Sequence, residues 1–157
     1  MVKILFICHG NICRSPMAEF IMKKLIRERG LEDVIEVASC ATSAEELGSP
    51  VYPEAAAYLK RIGIDPRGKR AVRVTRSDLE AYDLLVAMER YNVNNLRQSF
   101  GRLPEEKVRL LGEFTRKGGD IEDPWYSGNF EKVGDQIREG CEGLLNALLE
   151  EGTGTGQ

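Results

Sequence analysis

The chain has 157 residues, of which 30% are charged and 42% apolar, with a net charge of −3. That composition describes one ordinary globular domain with room for a substantial core. The mild negative balance gives no drive toward nucleic acid or anionic membranes, and no apolar run approaches the roughly 18 residues that span a bilayer. The N-terminus, Met-Val-Lys-Ile-Leu-Phe-Ile, lacks a small-residue cleavage site and reads as a first strand, not a signal peptide. Four cysteines without a secretory segment fit free thiols in a reducing cytoplasm.

In chain order, Val2 to Ile7 is an apolar run expected to form a buried strand, followed by a short loop from Cys8 to Ser15. A helix then runs to about Arg29, with Ser15 as N-cap, Pro16 in the first turn and Met17, Phe20, Ile21 and Leu25 as its apolar stripe. Gly30 ends it. Val34 to Ala38 is a second strand, Ser39 to Tyr52 a loop carrying Glu45 and Glu46, and Pro53 to Ile62 a helix stopped by Gly63. Asp65 to Arg73 is a basic loop with Arg67, Lys69, Arg70 and Arg73. Thr75 and Asp78 have capping-box spacing and open a short helical turn. Asp83 to Met88 has the uninterrupted apolar centre of a strand covered on both faces. Glu89 to Phe100 is helical and Val108 to Leu111 a fourth strand, after which a polar loop carries Asp123-Pro-Trp-Tyr126. The last helix runs from about Phe130 to Glu150, with Val133, Ile137, Cys141, Leu144, Leu145 and Leu148 on one face. Residues 1–150 read as a single domain and 151–157 as a disordered tail. Strands alternating with helices imply βαβ units and a parallel sheet, whose ligands bind beyond the carboxyl ends of the strands. The first loop and the loop of Asp123 both belong at that end.

The first loop, Cys8-His-Gly-Asn-Ile-Cys-Arg-Ser15, carries the chemistry. Backbone N–H groups at a helix start have no intrahelical acceptor, and the helix dipole favours an anion there. Cys8 is a nucleophile only as a thiolate; loop amides, the helix start and Arg14 each stabilise negative charge on sulfur. Arg14 offers a planar fork that matches two phosphate oxygens. Gly10 is expected to supply backbone angles that let successive N–H groups turn inward, while Asn11 and Ser15 hold the loop by local hydrogen bonds. An anion cradle with a thiol and a guanidinium suggests covalent chemistry on an oxyanion. Taken alone, Cys8 reads as a small buried hydrophobe; the pairing with Arg14 on a strand–loop–helix tips the balance toward catalysis. A metal at Cys8, His9 and Cys13 is disfavoured, because His9 is the only histidine and Cys40 and Cys141 read as core. His9 reads as a residue of the loop's lip.

Cys-x5-Arg-Ser near the N-terminus, as Cys8 to Pro16, with Asp123-Pro124 far downstream, resembles the low-molecular-weight protein tyrosine phosphatases. The likeness is close through Met17-Ala-Glu19 and weaker over the remainder, including Ser39, Val86-x-Met88 and Asn92. It implies an α/β fold, a four-stranded parallel sheet in the order 2-1-3-4 with helices on both faces and the phosphate-binding loop after strand 1. It also implies cofactor-free hydrolysis of aryl phosphate monoesters through a phosphocysteine on Cys8, with Arg14 holding the phosphoryl group and Asp123 as general acid and base. Pro124 restricts Asp123 to extended angles. His9, Gly10, Asn11, Ile12, Cys13 and Ser15 would line the substrate site, with Trp125 and Tyr126 at its mouth; Asn11, Ser15 and Ser39 would support the loop. Cys13 would trap oxidised Cys8 as a disulfide. Glu89 reads equally as a rim residue and as a helix-start carboxylate. The implied partners are a phosphotyrosine-bearing protein and inorganic phosphate, as product and inhibitor, without nucleic acid or membrane.

Three positions depart from the family's pattern. His9 stands where a small or aliphatic residue is more usual, Glu45 lies where an aromatic wall is expected, and Lys69 or Arg70 replaces a supporting histidine. Arsenate reductases of the same superfamily need a close downstream cysteine pair, which Cys40 and Cys141 are not. Protein-arginine phosphatases carry threonine in place of Ile12 and lack the adjacent aromatics. A catalytically silent phosphate-binding module is disfavoured by the presence of nucleophile, arginine and acid together.

Overall fold

A computed structural model describes residues 1–155. Four parallel strands, β1 (Val2–Cys8), β2 (Ile35–Ala41), β3 (Leu84–Ala87) and β4 (Val108–Leu110), form one sheet in the order β2-β1-β3-β4, as expected. Successive side chains of a strand point to opposite faces, and β1 divides its apolar run accordingly. Ile4, Phe6 and Cys8 enter one core cluster; Leu5 and Ile7 enter the other. The first cluster is closed by α1 (Arg14–Glu28), α2 (Pro53–Arg61) and α6 (Phe130–Thr155), through residues such as Met17, Met22, Leu59, Ile137 and Leu145. The second is closed by α3 (Arg76–Ala81) and α4 (Arg90–Phe100), through Leu79, Val93 and Leu96. β1, central and covered on both faces, has no exposed edge, and its carboxyl end delivers Cys8 to the loop.

Local expectations hold where the signal is chemical. Thr75 and Asp78 form a reciprocal capping box at the start of α3, with Asp78 N–H donating to Thr75 Oγ1 and Thr75 N–H to Asp78 Oδ2. Several boundaries move, among them those of β2 and α1. β2 runs on to Ala41, because Ser39, Cys40 and Ala41 pair with Phe6, Ile7 and Cys8; small residues read as a loop by themselves are held extended by their neighbour. The helix α1 begins at Arg14, with Cys13 as its cap residue and no side-chain capping bond, so Ser15 is not the N-cap. Its hydroxyl is instead buried in the loop's interior.

The last helix continues through Thr155, past Glu150 and across residues 151–155 of the expected tail. A glycine costs a helix only about 1 kcal/mol, so Gly152 alone does not stop it. Residues 156–157 of that expected tail lie outside the described residues. Within α6, glycines permit close packing. A Cβ on Gly134 would sit 2.3 Å from the Tyr58 ring of α2, and one on Gly143 would sit 2.3 Å from the Phe114 carbonyl oxygen.

Candidate active site

The loop after β1 is held by backbone conformation first. Asn11, at φ 59°, is the one non-glycine residue with positive φ among the described residues. Asparagine tolerates the left-handed region better than most residues because its short amide bonds locally. Gly10, expected to take this role, has no positive φ; the turn falls one residue later. There Asn11 N–H donates to Cys8 Sγ at 3.3 Å, and Ser15 Oγ lies 2.9 Å from the same sulfur.

Behind the loop a chain of hydrogen bonds has a definite direction. A carboxylate can only accept, so Ser39 Oγ donates to Glu19 Oε1 at 2.6 Å. Ser39 Oγ therefore accepts from Asn11 Nδ2 at 2.9 Å. The other amide hydrogen of Asn11 reaches Ser15 Oγ at 2.8 Å, while its Oδ1 accepts from Val72 N–H at 3.1 Å. With its oxygen already accepting, Ser15 has its own proton to donate, and the Cys8 sulfur at 2.9 Å lies nearer than its other acceptor, the Cys40 carbonyl at 3.4 Å. A buried acid one serine and one amide away thus orients the hydroxyl that faces the Cys8 sulfur. Lys69 completes the network, donating to the Ser39 carbonyl at 3.0 Å and facing Glu19 at 3.5 Å. Arg70 turns away to the Gly48 carbonyl.

Arg14, 2% exposed, is anchored on three sides. Nη1 donates to the Ile121 carbonyl at 2.8 Å, Nη2 to Glu89 Oε1 at 2.9 Å, and Asp123 Oδ2 lies 3.4 Å from Nη2. Burial works against the charged guanidinium, but the Cys8 sulfur, Glu89 and Asp123 outweigh it and hold its pKa above the ordinary value. Glu89 is a helix-start carboxylate that precedes α4 and also grips Arg14, and it is absent from the pocket lining. The segment carrying Asp123 is tied to the sheet by Ile121 N–H to the Met88 carbonyl at 2.8 Å and by Asp120 Oδ1, which accepts from Arg90 N–H at 3.0 Å. Asp123 caps a short helix, α5 (Pro124–Ser127), its Oδ1 accepting from Trp125 N–H at 3.0 Å. Its second oxygen remains for the pocket.

These groups surround a pocket of roughly 330 Å³, at the small end of the range for ligand clefts. Cys8, His9, Gly10, Ile12, Cys13, Arg14, Asp123, Trp125 and Tyr126, all expected near the site, line it. The buried side chains of Asn11, Ser15 and Ser39 lie behind it, as support; for Asn11 and Ser15 this replaces the expected lining role. Trp125 leans on Tyr52, with ring centroids 4.9 Å apart, and Tyr52 stacks on Phe130. His9 Nε2 contacts Glu45 Oε2 at 3.1 Å, and both residues line the pocket. Cys13, a buried part of the pocket lining, has its thiol pKa pushed up by burial and by Cys8 and Asp123. Cys40 and Cys141 are buried in the core, as expected.

Glu19, Asp120, Tyr52 and Tyr91 are the functional neighbours that sequence reasoning passed over. Glu19 carried a signal, a carboxylate on the helix's apolar side. Tyr52 and Tyr91 carried none beyond being aromatic. Among the described residues no three His, Cys, Asp or Glu side chains converge as a metal site, and no helix is long and apolar enough to cross a membrane.

A sequence profile for the low molecular weight phosphotyrosine protein phosphatases matches residues 3–153. The low molecular weight protein-tyrosine-phosphatase YfkJ of Bacillus subtilis is 37% identical over 153 residues, covering 96% of this chain and 98% of that protein. PtpA of Staphylococcus aureus is 33% identical over 151 residues, covering 96% of each. The crystal structure of YfkJ matches with a TM-score of 0.92 over 96% of both chains. That of a Drosophila arginine phosphatase matches with a TM-score of 0.83 and 30% identity, over 94% of this chain and 98% of that one.

Proposed function

This chain belongs to the low-molecular-weight phosphotyrosine protein phosphatases, and we propose that its cysteine-dependent hydrolysis of phosphotyrosine runs through Cys8, Arg14 and Asp123. The carrying observation is that one pocket holds Cys8 Sγ at its base, Arg14 beside it and Asp123 at the rim, 3.4 Å from that arginine. Cys8 sulfur attacks phosphorus as the bond to the aryl oxygen breaks, and Asp123 gives its proton to the leaving phenolate. Arg14 and the loop amides hold the equatorial oxygens, where charge is stabilised in the transition state. Asp123 then takes a proton from the water that cleaves the sulfur–phosphorus bond, releasing inorganic phosphate, which competes for the same cradle as an inhibitor. No metal, cofactor, nucleic acid or membrane enters this scheme.

The aromatic lip of Trp125 and Tyr126 and the apolar Ile12 support an aryl phosphate over phosphoarginine. Side-by-side assays of phosphotyrosine, phosphoarginine and phosphoserine peptides test the assignment: phosphotyrosine turns over fastest, and Cys8→Ser abolishes turnover while retaining phosphate binding. Preferred hydrolysis of phosphoarginine, or full activity in Cys8→Ser, would remove it.

The free thiols of the chain support a cytoplasmic setting and a redox guard. Peroxide converts Cys8 to a sulfenic acid, and Cys13 displaces water from it to form a disulfide that thiols reduce. Inactivation by peroxide is then reversed by dithiothreitol in the parent and much less in Cys13→Ser; equal recovery in both would discard the guard.

A further inference from the structure

The pocket lacks the aromatic expected near residue 45, where Glu45 and Glu46 line it instead. A different segment, the start of α4, adds a ring to the same pocket. Among the described residues three aromatic side chains are both large and strongly exposed, Tyr91, Trp125 and Tyr126, and all three line this pocket. Exposed aromatics are ordinary when scattered, but a set gathered at one concavity marks a contact surface. Resting on the phosphatase reading, we infer that Tyr91 is a specificity-determining residue whose ring, beside His9 in the pocket that Trp125 also lines, forms a second wall of the slot for the substrate's phenyl group.

The position of Tyr91 is set by the phosphate site itself. It is the second residue of α4, and the residues around it are each pinned. Glu89 grips Arg14 at 2.9 Å, Arg90 N–H is held by Asp120 at 3.0 Å, and Asn92 Oδ1 accepts from Glu89 N–H at 2.9 Å. The backbone at 91 is therefore locked to the guanidinium that holds the phosphoryl group, so the distance from phosphate to ring is built in. The ring itself remains 56% exposed. Its neighbour is the His9 ring, with centroids 6.2 Å apart and planes tilted by 33°, inside the range of attractive ring pairs. His9 is in turn held to Glu45. A phenyl group entering the pocket completes a wall already in place, without ordering a loop.

The test separates ring recognition from phosphate recognition. For Tyr91→Ala, Tyr91→Phe and the parent, kcat/KM is measured on a phosphotyrosine peptide, together with the competitive inhibition constant of inorganic phosphate. Tyr91→Ala lowers kcat/KM by about threefold to tenfold, the worth of one aromatic contact. It leaves phosphate inhibition within about twofold, and Tyr91→Phe stays near the parent. A Tyr91→Ala enzyme within twofold of the parent overturns the inference, as does phosphate inhibition weakening in step with kcat/KM, which would make Tyr91 a support of the loop. A parent that does not hydrolyse phosphotyrosine removes the functional reading, and the inference with it, before any variant is compared.

Discussion

Asp123 has one oxygen committed to Trp125 N–H and the other 3.4 Å from Arg14, so its carboxylate is aimed without being consumed. Asp123→Asn keeps the shape and the cap but cannot deliver a proton. Its kcat on phosphotyrosine falls by about 10²- to 10⁴-fold with KM changed far less; a kcat within tenfold of the parent would show that another group serves as acid. Cys8 and Arg14 were legible as candidates because a thiol and a guanidinium on a strand–loop–helix are chemically distinctive, whereas Asp123 by itself reads as a turn residue and stands out only through the family resemblance. The support was legible only in part. Asn11, Ser15 and Ser39 are readable as short polar side chains, whereas their common end point, Glu19, is linked by contacts 20 residues apart in sequence. The backbone turn illustrates the same limit. Gly10 is the residue that the sequence offers for a left-handed angle, and Asn11 takes it, because its amide gains three partners by doing so.

At the scale of elements, α6 shows how propensity and packing conflict. Replacing glycine by alanine inside a helix ordinarily stabilises it by about 1 kcal/mol. At Gly134 the added carbon would lie 2.3 Å from the Tyr58 ring, and overpacking of that kind costs about 1–3 kcal/mol or more. Packing wins: Gly134→Ala lowers the urea midpoint, while phosphate inhibition stays unchanged in the folded enzyme. A raised midpoint would mean that α2 and α6 can separate at no cost. Periodicity identified both helices but not their closeness, since nothing within α6 records which ring faces residue 134. The extension of β2 to Ala41 has the same character, for it depends on the register with β1.

For the whole molecule, burial of thiols links stability to pH. Cys13, Cys40 and Cys141 all have pKa values raised by burial, the first also by Cys8 and Asp123 and the second by Asp78 and Cys8. Their folded pKa values exceed the unfolded ones, so unfolding releases protons once the unfolded thiols titrate, near pH 8.5. The contribution is complete below that pH and declines as pH rises above it. Tyr58, pushed up to about 12 by burial and by Asp135, adds a further decline from about pH 10, where an unfolded tyrosine titrates. The urea midpoint accordingly falls between pH 8 and 11, and less steeply in Cys141→Ala; a flat profile would contradict the linkage.

By itself the sequence determined the α/β class and the parallel sheet, and it marked the cysteine–arginine loop at a helix start as an anion cradle; Asp123 joins that loop as a candidate only through the family resemblance. Alternating apolar runs and a cysteine–arginine loop at a helix start are local patterns, and their physics acts within a few residues. Tertiary structure alone decided which residues support and surround them. Glu19 meets Ser39, Glu89 meets Arg14, and Tyr91 faces the pocket only because parallel strands bring their carboxyl ends to one edge of the sheet. Contacts between distant segments depend on register and packing, which no single stretch of chain encodes.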